Sequence, residues 1–529
     1  MHAHALLSLL FILSRVALDM AGLRFAFSLD WMWLNDPADL RDRLLETLYY
    51  FHAFPPGINL ATGLLLKAGG AQAAVLAHGA FWTLGLVFVN ALFVVARGAG
   101  LSTAGAVVLA GAFSLAPASL YFEYLYHYEW PVATLRCVAA ALFSYAVRRQ
   151  AFGVWLACFA VCAVIGATRS TFHLAWYVVV AGLGAWACDP GARRRVLAAA
   201  TIPGVMLVAL YAKNAVLFGA FAASTFGPAS YTLVTTARLP VEVRDAWMAQ
   251  GALSPFAAIS VYAPPREYAR FFDSPEHTGW PPQLTRLEHA TVKAANFNHW
   301  WLLEVHRARM ADVKHFLRTR PFDVPATVLA SLKEMFGPTT AWHPRDRTTG
   351  FTAPKSRSDE GGPHEGHRQV LGRYEAWFNR LVHGVPFAPV GIYIFLPVPL
   401  LWAGARAWSQ VRAPDPEQRA RGALLLLLLF QIAFVVLAST MLTALEEARY
   451  RFQIEWMIWV VVMLFAANIR KGVGYLPIAL WIASTVSVAR SSTIFLPMSR
   501  VLLIGSRLTP LMVARLAFVR SSMRMVFGS

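Results

Sequence analysis

Apolar residues along the chain gather into runs of roughly the 17–25 residues that cross hydrocarbon as a helix, separated by short polar punctuation. The runs are Ala5–Phe27, Ala73–Ala96, Leu101–Leu120, Pro131–Val147, Phe152–Thr168, Phe172–Cys188 and Val196–Phe218. After a long hydrophilic stretch come Phe387–Trp408, Ala423–Ala444, Ile454–Ile469 and Val473–Val488. A twelfth run, Ile494–Ser506, is interrupted by Pro497 and Arg500. In hydrocarbon every backbone polar group must be satisfied within the segment, so runs of this length predict helices. A membrane β-barrel would instead show alternating segments of about ten residues, which are absent. The pattern therefore predicts an all-α polytopic membrane protein with about 11–12 spans.

Composition agrees: 57% of residues are hydrophobic and only 14% charged, too few charges to cover a soluble surface of this size. The net charge of +18 raises nucleic acid as a partner. However, the cations sit mainly at the ends of apolar runs, where they orient helices, and no basic stripe with interleaved aromatics lies on a soluble domain. No nucleic-acid partner is expected. Cys137, Cys158, Cys162 and Cys188 all fall inside apolar runs and read as packing residues, so no disulfide framework stabilises the hydrophilic stretch. The first run carries Arg15 and Asp19 and lacks a small-residue cleavage site, which predicts a retained first helix.

Cations also predict orientation. With a cytoplasmic N-terminus, the inside loops hold Arg97, Arg148, Arg149, Arg193, Arg194, Arg195, Arg406, Arg412, Arg419, Arg421, Arg470 and Lys471. The short outside loops hold fewer. The chain then divides into an N-terminal membrane module (1–218) with a first outer loop (28–72), a long outer segment (219–386) and a C-terminal membrane module (387–529). Within the outer segment, an amphipathic helix is predicted from about Asn296 to Arg320, ending at Pro321, with Trp300 and Trp301 seated at the membrane interface. The polar stretch His343–His367 reads as a flexible loop, and His364-Glu365-Gly366-His367 within it as a solvated run rather than a metal site.

Four polar clusters share the outer face. The first is Ser28–Pro37 followed by Glu46 and Tyr49–Gly57, which offers Asp30, Asp36 and His52. A carboxylate there can serve as general base towards a hydroxyl; Asp30 and Asp36 read equally as helix caps. The second is Glu446-Glu447-Ala448-Arg449-Tyr450-Arg451, where two arginines can grip phosphate oxygens or pair with the adjacent acids. The third is Thr168–Trp176, with Arg169 and His173. The fourth is Tyr121–Pro131, with Glu123, Glu129 and four tyrosines. An unpaired acid near hydrocarbon is costly, which draws attention to Glu123. One outer-face cavity is the simplest account of the four together.

The first-loop acid, the His52…Pro55-Pro56 element and Glu447-Ala448-Arg449-Tyr450-Arg451 resemble the GT-C glycosyltransferases, polytopic enzymes such as the protein O-mannosyltransferases and the aminoarabinose transferase of lipid A. The chain is similar to a bacterial branch of that superfamily with "LDP", "WYLHAQPPLFN", "YENWLFY", "RSxFHxxW", "N-x-x-x-FG" and "E-x-RYR" elements. These match Asn35–Pro37, Tyr49–Asn59, Tyr121–Tyr128, Arg169–Trp176, Asn214–Gly219 and Glu447–Arg451. Phe54 stands in place of the pattern's Gln and Tyr124 in place of its Asn, which leaves the sugar open.

The resemblance implies inverting transfer from a polyprenyl-phosphate sugar donor to a hydroxyl of a glycan, lipid or protein acceptor at the periplasmic face of the bacterial inner membrane. It makes Asp36 or Asp30 the base. Arg449, Arg451 and Arg169 would hold the phosphate, and His52, Glu123, His173 and Glu447 would line the substrate pocket. Some superfamily members add a divalent metal, for which no ligand set is fixed here, and membrane lipids surround the bundle. Two rivals use the same surroundings: an O-antigen polymerase or ligase, with its key residues in the large outer loop, and a transporter or flippase of lipid-linked or anionic substrates. Transporters tend to place polar groups in broken helices near the midplane, whereas these clusters lie at one face.

Overall fold

The computed structural model describes residues 2–272, 279–337, 363–383, 391–442 and 447–472. Apolar sequence folds there into helices throughout, and the only strand pairing among the described residues is isolated bridges. Helix α1 (His2–Met20) stops short of the expected Phe27. Gly22, at φ +95°, turns the chain into an extended stretch. There the Ala26 N–H donates to the Tyr124 carbonyl at 2.8 Å and the Tyr126 N–H to the Ala26 carbonyl at 2.9 Å.

Short helices α2 (Pro37–Asp42) and α3 (Leu44–Tyr49) follow in the first loop. Helix α4 (Gly57–Gly69), which was not expected, leads through a turn into α5 (Ala73–Ala99). The expected straight span Leu101–Leu120 is broken into α6 (Thr103–Leu115) and α7 (Pro117–Glu123), bent by 59°. Pro117 explains the bend, because its ring disfavours helical backbone at Ala116.

The bundle continues with α8 (Glu129–Arg149), α9 (Phe152–Thr168), α10 (Leu174–Ala187) and α11 (Pro190–Phe218). Then come α12 (Gly227–Val234), α13 (Val241–Ala249), α14 (Pro282–Thr285), α15 (Trp301–Thr319) and α16 (Val324–Met335). The chain ends its described course with α17 (Pro363–His383), α18 (Pro397–Val411), α19 (Pro416–Leu442) and α20 (Glu447–Gly472). Among the described residues, six helical stretches are long and apolar enough to cross a membrane, or seven with the bent pair. The chain is an integral membrane protein of all-α architecture. Helices α9 and α10 are apolar but shorter, at 17 and 14 residues. Val473–Val488 and Ile494–Ser506 lie outside the described residues, and the expected Phe387–Trp408 span has its described helix only from Pro397.

Residues 219–272 and 279–337 form a cap with a core of its own, built from Phe226, Val261, Tyr268, Phe297, Trp301 and Val305. The helix expected to lie on the membrane instead turns its apolar face into this core, and Trp301 is 2% exposed. Inside the cap, Arg309 donates to the Ile259 carbonyl at 2.9 Å and to Tyr268 Oη at 2.9 Å, and Asp312 accepts from Ser254 Oγ at 2.6 Å. No disulfide takes part, since all four cysteines are free and buried in the bundle. Of the stretch His343–His367, residues 343–362 lie outside the described residues, whereas Pro363 already begins α17, so the segment does not end as a loop.

Membrane helices pack closely where small residues let backbones approach. At Gly422 a Cβ would lie 2.8 Å from the Ala407 carbonyl oxygen, on the α18 backbone, whereas at Gly111 it would meet nothing within 4 Å. Gly422→Ala is therefore expected to force α18 and α19 apart, at a cost of about 1–3 kcal/mol for overpacking. Thermal unfolding in detergent should show a lowered midpoint for Gly422→Ala and none for Gly111→Ala; equal midpoints would contradict this packing.

Candidate functional site

The four polar clusters meet at the start of α8, the end of α9 and the start of α20. Helix α8 opens at Glu129, and Pro131 is tolerated there because the first N–H groups of a helix have no intrahelical partner. Arg169 caps the end of α9 with extended backbone, and the Phe172 N–H closes a short turn on its carbonyl at 3.1 Å. Arg449, Tyr450 and Gln453 lie in the first two turns of α20.

These elements converge on one carboxylate. Glu129, fully buried, accepts from Arg169 Nη1 and from Gln453 Nε2, and Arg449 Nε stands 3.9 Å from its Oε1. The Arg169 guanidinium lies 4.1 Å from the ring centroid of Tyr450 and 4.8 Å from that of Tyr128. Arg449 lies 5.4 Å from the Tyr450 ring and 5.9 Å from that of Trp33 in the first loop. Aromatic faces hold desolvated guanidinium groups in place without neutralising them. Arg169 Nη2 has no hydrogen-bond partner among the described residues. Two buried guanidinium groups thus border the Glu129 carboxylate, and Arg169 Nη2 remains a donor to which an anion could bind.

Deeper in the bundle, Arg136 donates to the Gln453 carbonyl at 3.1 Å and to Gln431 Oε1 at 2.7 Å, and Trp176 Nε1 donates to the same oxygen at 3.1 Å. Sequence reasoning named Glu129 only as a member of the fourth cluster, with no role, and did not single out Arg136. The available signal was a charge inside the run Pro131–Val147, since charges within spans are expensive.

The other candidates are placed elsewhere. Glu123, expected to line the pocket, is fully buried and takes a two-pronged ion pair from Arg15 of α1, with Nε to Oε1 at 3.0 Å and Nη2 to Oε2 at 2.5 Å. Arg451, next but one to Arg449, points to a different partner, as residues two apart on a helix do not share a face. It donates to the Met335 and Gly337 carbonyls at 3.1 and 2.7 Å, at the end of α16, with Glu455 3.6 Å away. His173 is exposed, its ring 5.6 Å from Phe434. The Glu447 side chain lies outside the described residues.

Asp36 is 3% exposed and caps α2. It accepts from the Ala38 N–H at 2.9 Å, the Thr291 N–H at 3.0 Å and Thr291 Oγ1 at 2.5 Å. Burial raises its pKa, but the hydrogen bonds from Thr291 and Ala38 outweigh that and hold it below the usual carboxylate value. Asp30 is only half-buried and accepts from Ser28 Oγ. Beside it, Trp31 stacks on Trp33 at 4.8 Å, and His127 meets both rings edge-on.

His52 is fully buried and ties the loop to the cap. Its Nδ1 lies 2.7 Å from Thr225 Oγ1 and its Nε2 3.1 Å from the Asn298 carbonyl, while its N–H donates to Asn298 Oδ1 at 2.8 Å. Among the described residues no three His, Cys, Asp or Glu side chains gather as a metal site requires, so the described residues do not fit a metal. A groove of about 920 Å³ between Met248 and Asp312 in the cap shares no lining residue with the arginine cluster. No protein-family model matches the chain, and no curated protein sequence matches it.

Burial, followed by the charges of His306 and Lys213, lowers the His52 pKa to about 3, and burial lowers that of His306 to about 3. The unfolded value is near 6.5, so both rings stay neutral in the folded cap while the unfolded chain takes up protons. Stability is therefore complete above pH 6.5 and falls as pH drops towards 3, by about 2 kcal/mol per histidine between pH 6.5 and 5. Hydrogen exchange, corrected for intrinsic rates, should show cap amides losing protection at pH 5, with His52→Gln removing part of the dependence. Unchanged protection from pH 7 to 5 would contradict this.

Proposed function

We propose that the protein is a GT-C-type glycosyltransferase of the bacterial inner membrane, moving a sugar from a polyprenyl-phosphate donor to an acceptor hydroxyl at the extracytoplasmic face. The observation that carries this reading is the convergence of Arg169 and Arg449 on the Glu129 carboxylate, beside the first loop. Such a site offers preorganised donors to a lipid phosphate whose prenyl chain lies among the helices. The Arg169 Nη2 donor is aimed at no protein acceptor among the described residues and is available to a phosphate oxygen.

Asp30 is the base in this reading, because it is the more exposed of the two candidate acids and Asp36 is committed to Thr291 and Ala38. The acceptor O–H gives its proton to the Asp30 carboxylate as the oxygen attacks the anomeric carbon. The new C–O bond forms as the bond to the phosphate oxygen breaks, and the phosphate leaves with the electron pair. Arg169 and Arg449 take up its added charge, so no strong general acid is needed. The half-buried Trp31 gives the sugar an aromatic face. The cap excludes water above the site, which favours transfer over hydrolysis. Neither Arg451 nor Glu123 has a part in the chemistry, as both are held in pairings of their own.

Purified protein should release free polyprenyl phosphate from a panel of polyprenyl-phosphate hexoses and pentoses when supplied with an envelope glycolipid extract. Loss of a general base commonly costs about 10²–10⁴-fold, so Asp30→Asn should lower turnover by that order while donor binding persists. Asp36→Asn should lower the unfolding midpoint instead. A donor that stays intact while it crosses a proteoliposome bilayer would replace this reading with transport.

A further inference from the structure

At the end of the bundle away from the cap, the charges do not balance. Asp189 is taken by Arg419 at 2.9 Å and Gln150 at 2.8 Å. Glu417 is shared by Arg148 at 3.5 Å and Arg421 at 3.4 Å. Asp415 caps α19, accepting from the Gln418 N–H at 2.9 Å. No carboxylate among the described residues pairs with the exposed Arg412 or with Arg193. Arg193 stands within electrostatic reach of Cys188, just past the end of α10, as does Arg419. Arg412 instead lies 3.8 Å over the Trp408 ring, and Trp408 stacks on Trp186 of α10 at 6.3 Å. These two tryptophans are 50% and 43% exposed, on helices read as membrane-embedded.

An apolar aromatic pair below and unpaired guanidinium groups above match the division of a phospholipid into acyl chain and phosphodiester. A zwitterionic headgroup carries its own cation and would leave the excess uncompensated. We propose that the rim between α10 and α18 binds one anionic glycerophospholipid, its chains against Trp186 and Trp408 and its phosphate on Arg412. This site is independent of the sugar-transfer reading.

Delipidated protein in neutral detergent, titrated with phosphatidylglycerol or with phosphatidylcholine of the same chains, tests it. Wild-type protein should show a rise in unfolding midpoint with phosphatidylglycerol alone, and native mass spectrometry should retain one such lipid. Trp408→Ala/Arg412→Ala should abolish both. Should that double variant not fold, Arg412→Gln alone should lower retention at least tenfold. Arg149→Ala, which removes a cation resting over Tyr145 at 5.5 Å at the same end, should keep both effects. Equal loss in Arg149→Ala, equal shifts with phosphatidylcholine, or full retention in the Arg412 variants would overturn the site.

Discussion

The arrangement depends on one buried carboxylate. Glu129 holds Arg169 from the end of α9 and Gln453 from α20, and Arg449 stands beside it, so three helices are fixed together at the cap end. Desolvating a charge is expensive, and an ion buried without a partner costs several kcal/mol. Each of these groups therefore needs the others. Two aromatic rings around Arg169 fix its direction, and its Nη2 has no partner among the described residues. In the proposed reading, stability and anion recognition arise from the same contact.

The cap is joined to the first loop just as firmly. His52, Asn298, Thr225, Asp36 and Thr291 knit backbone to side chain across two segments some 170–255 residues apart in sequence. The loop that carries Asp30 and Trp31 is consequently tied to the cap through Asp36 and Thr291, and its Trp33 and Leu34 pack with Ile58 and Tyr128. In the proposed reading a base and a phosphate site have to be held in fixed relation for transfer to outrun hydrolysis, and this layer would supply that rigidity.

Much of this was legible in the sequence. Hydrocarbon forces apolar runs into helices, so the bundle followed from run length. Pro117 divided one run, and Gly22 cut α1 short. Both residues were visible, but run length alone does not weigh them. The apolar face of α15 was legible too, yet periodicity does not say whether its partner is lipid or the cap's own core. The four clusters do meet, through Trp33, Tyr128, Glu129, Arg169 and Arg449. The choice between Glu123 and Glu129 was not readable, because it depends on the bend at Ala116. The choice between Arg449 and Arg451 was within reach, since the pairs Arg449/Gln453 and Arg451/Glu455 mark two separate faces of one helix.

The most direct test is an electron cryomicroscopy structure with a saturating polyprenyl-phosphate analogue. The account predicts phosphate density within hydrogen-bond reach of Arg169 Nη2 and the Arg449 guanidinium, with Glu129 still holding Arg169. Phosphate density on Arg451, or a lipid phosphate bound away from both Arg169 and Arg449, would contradict it.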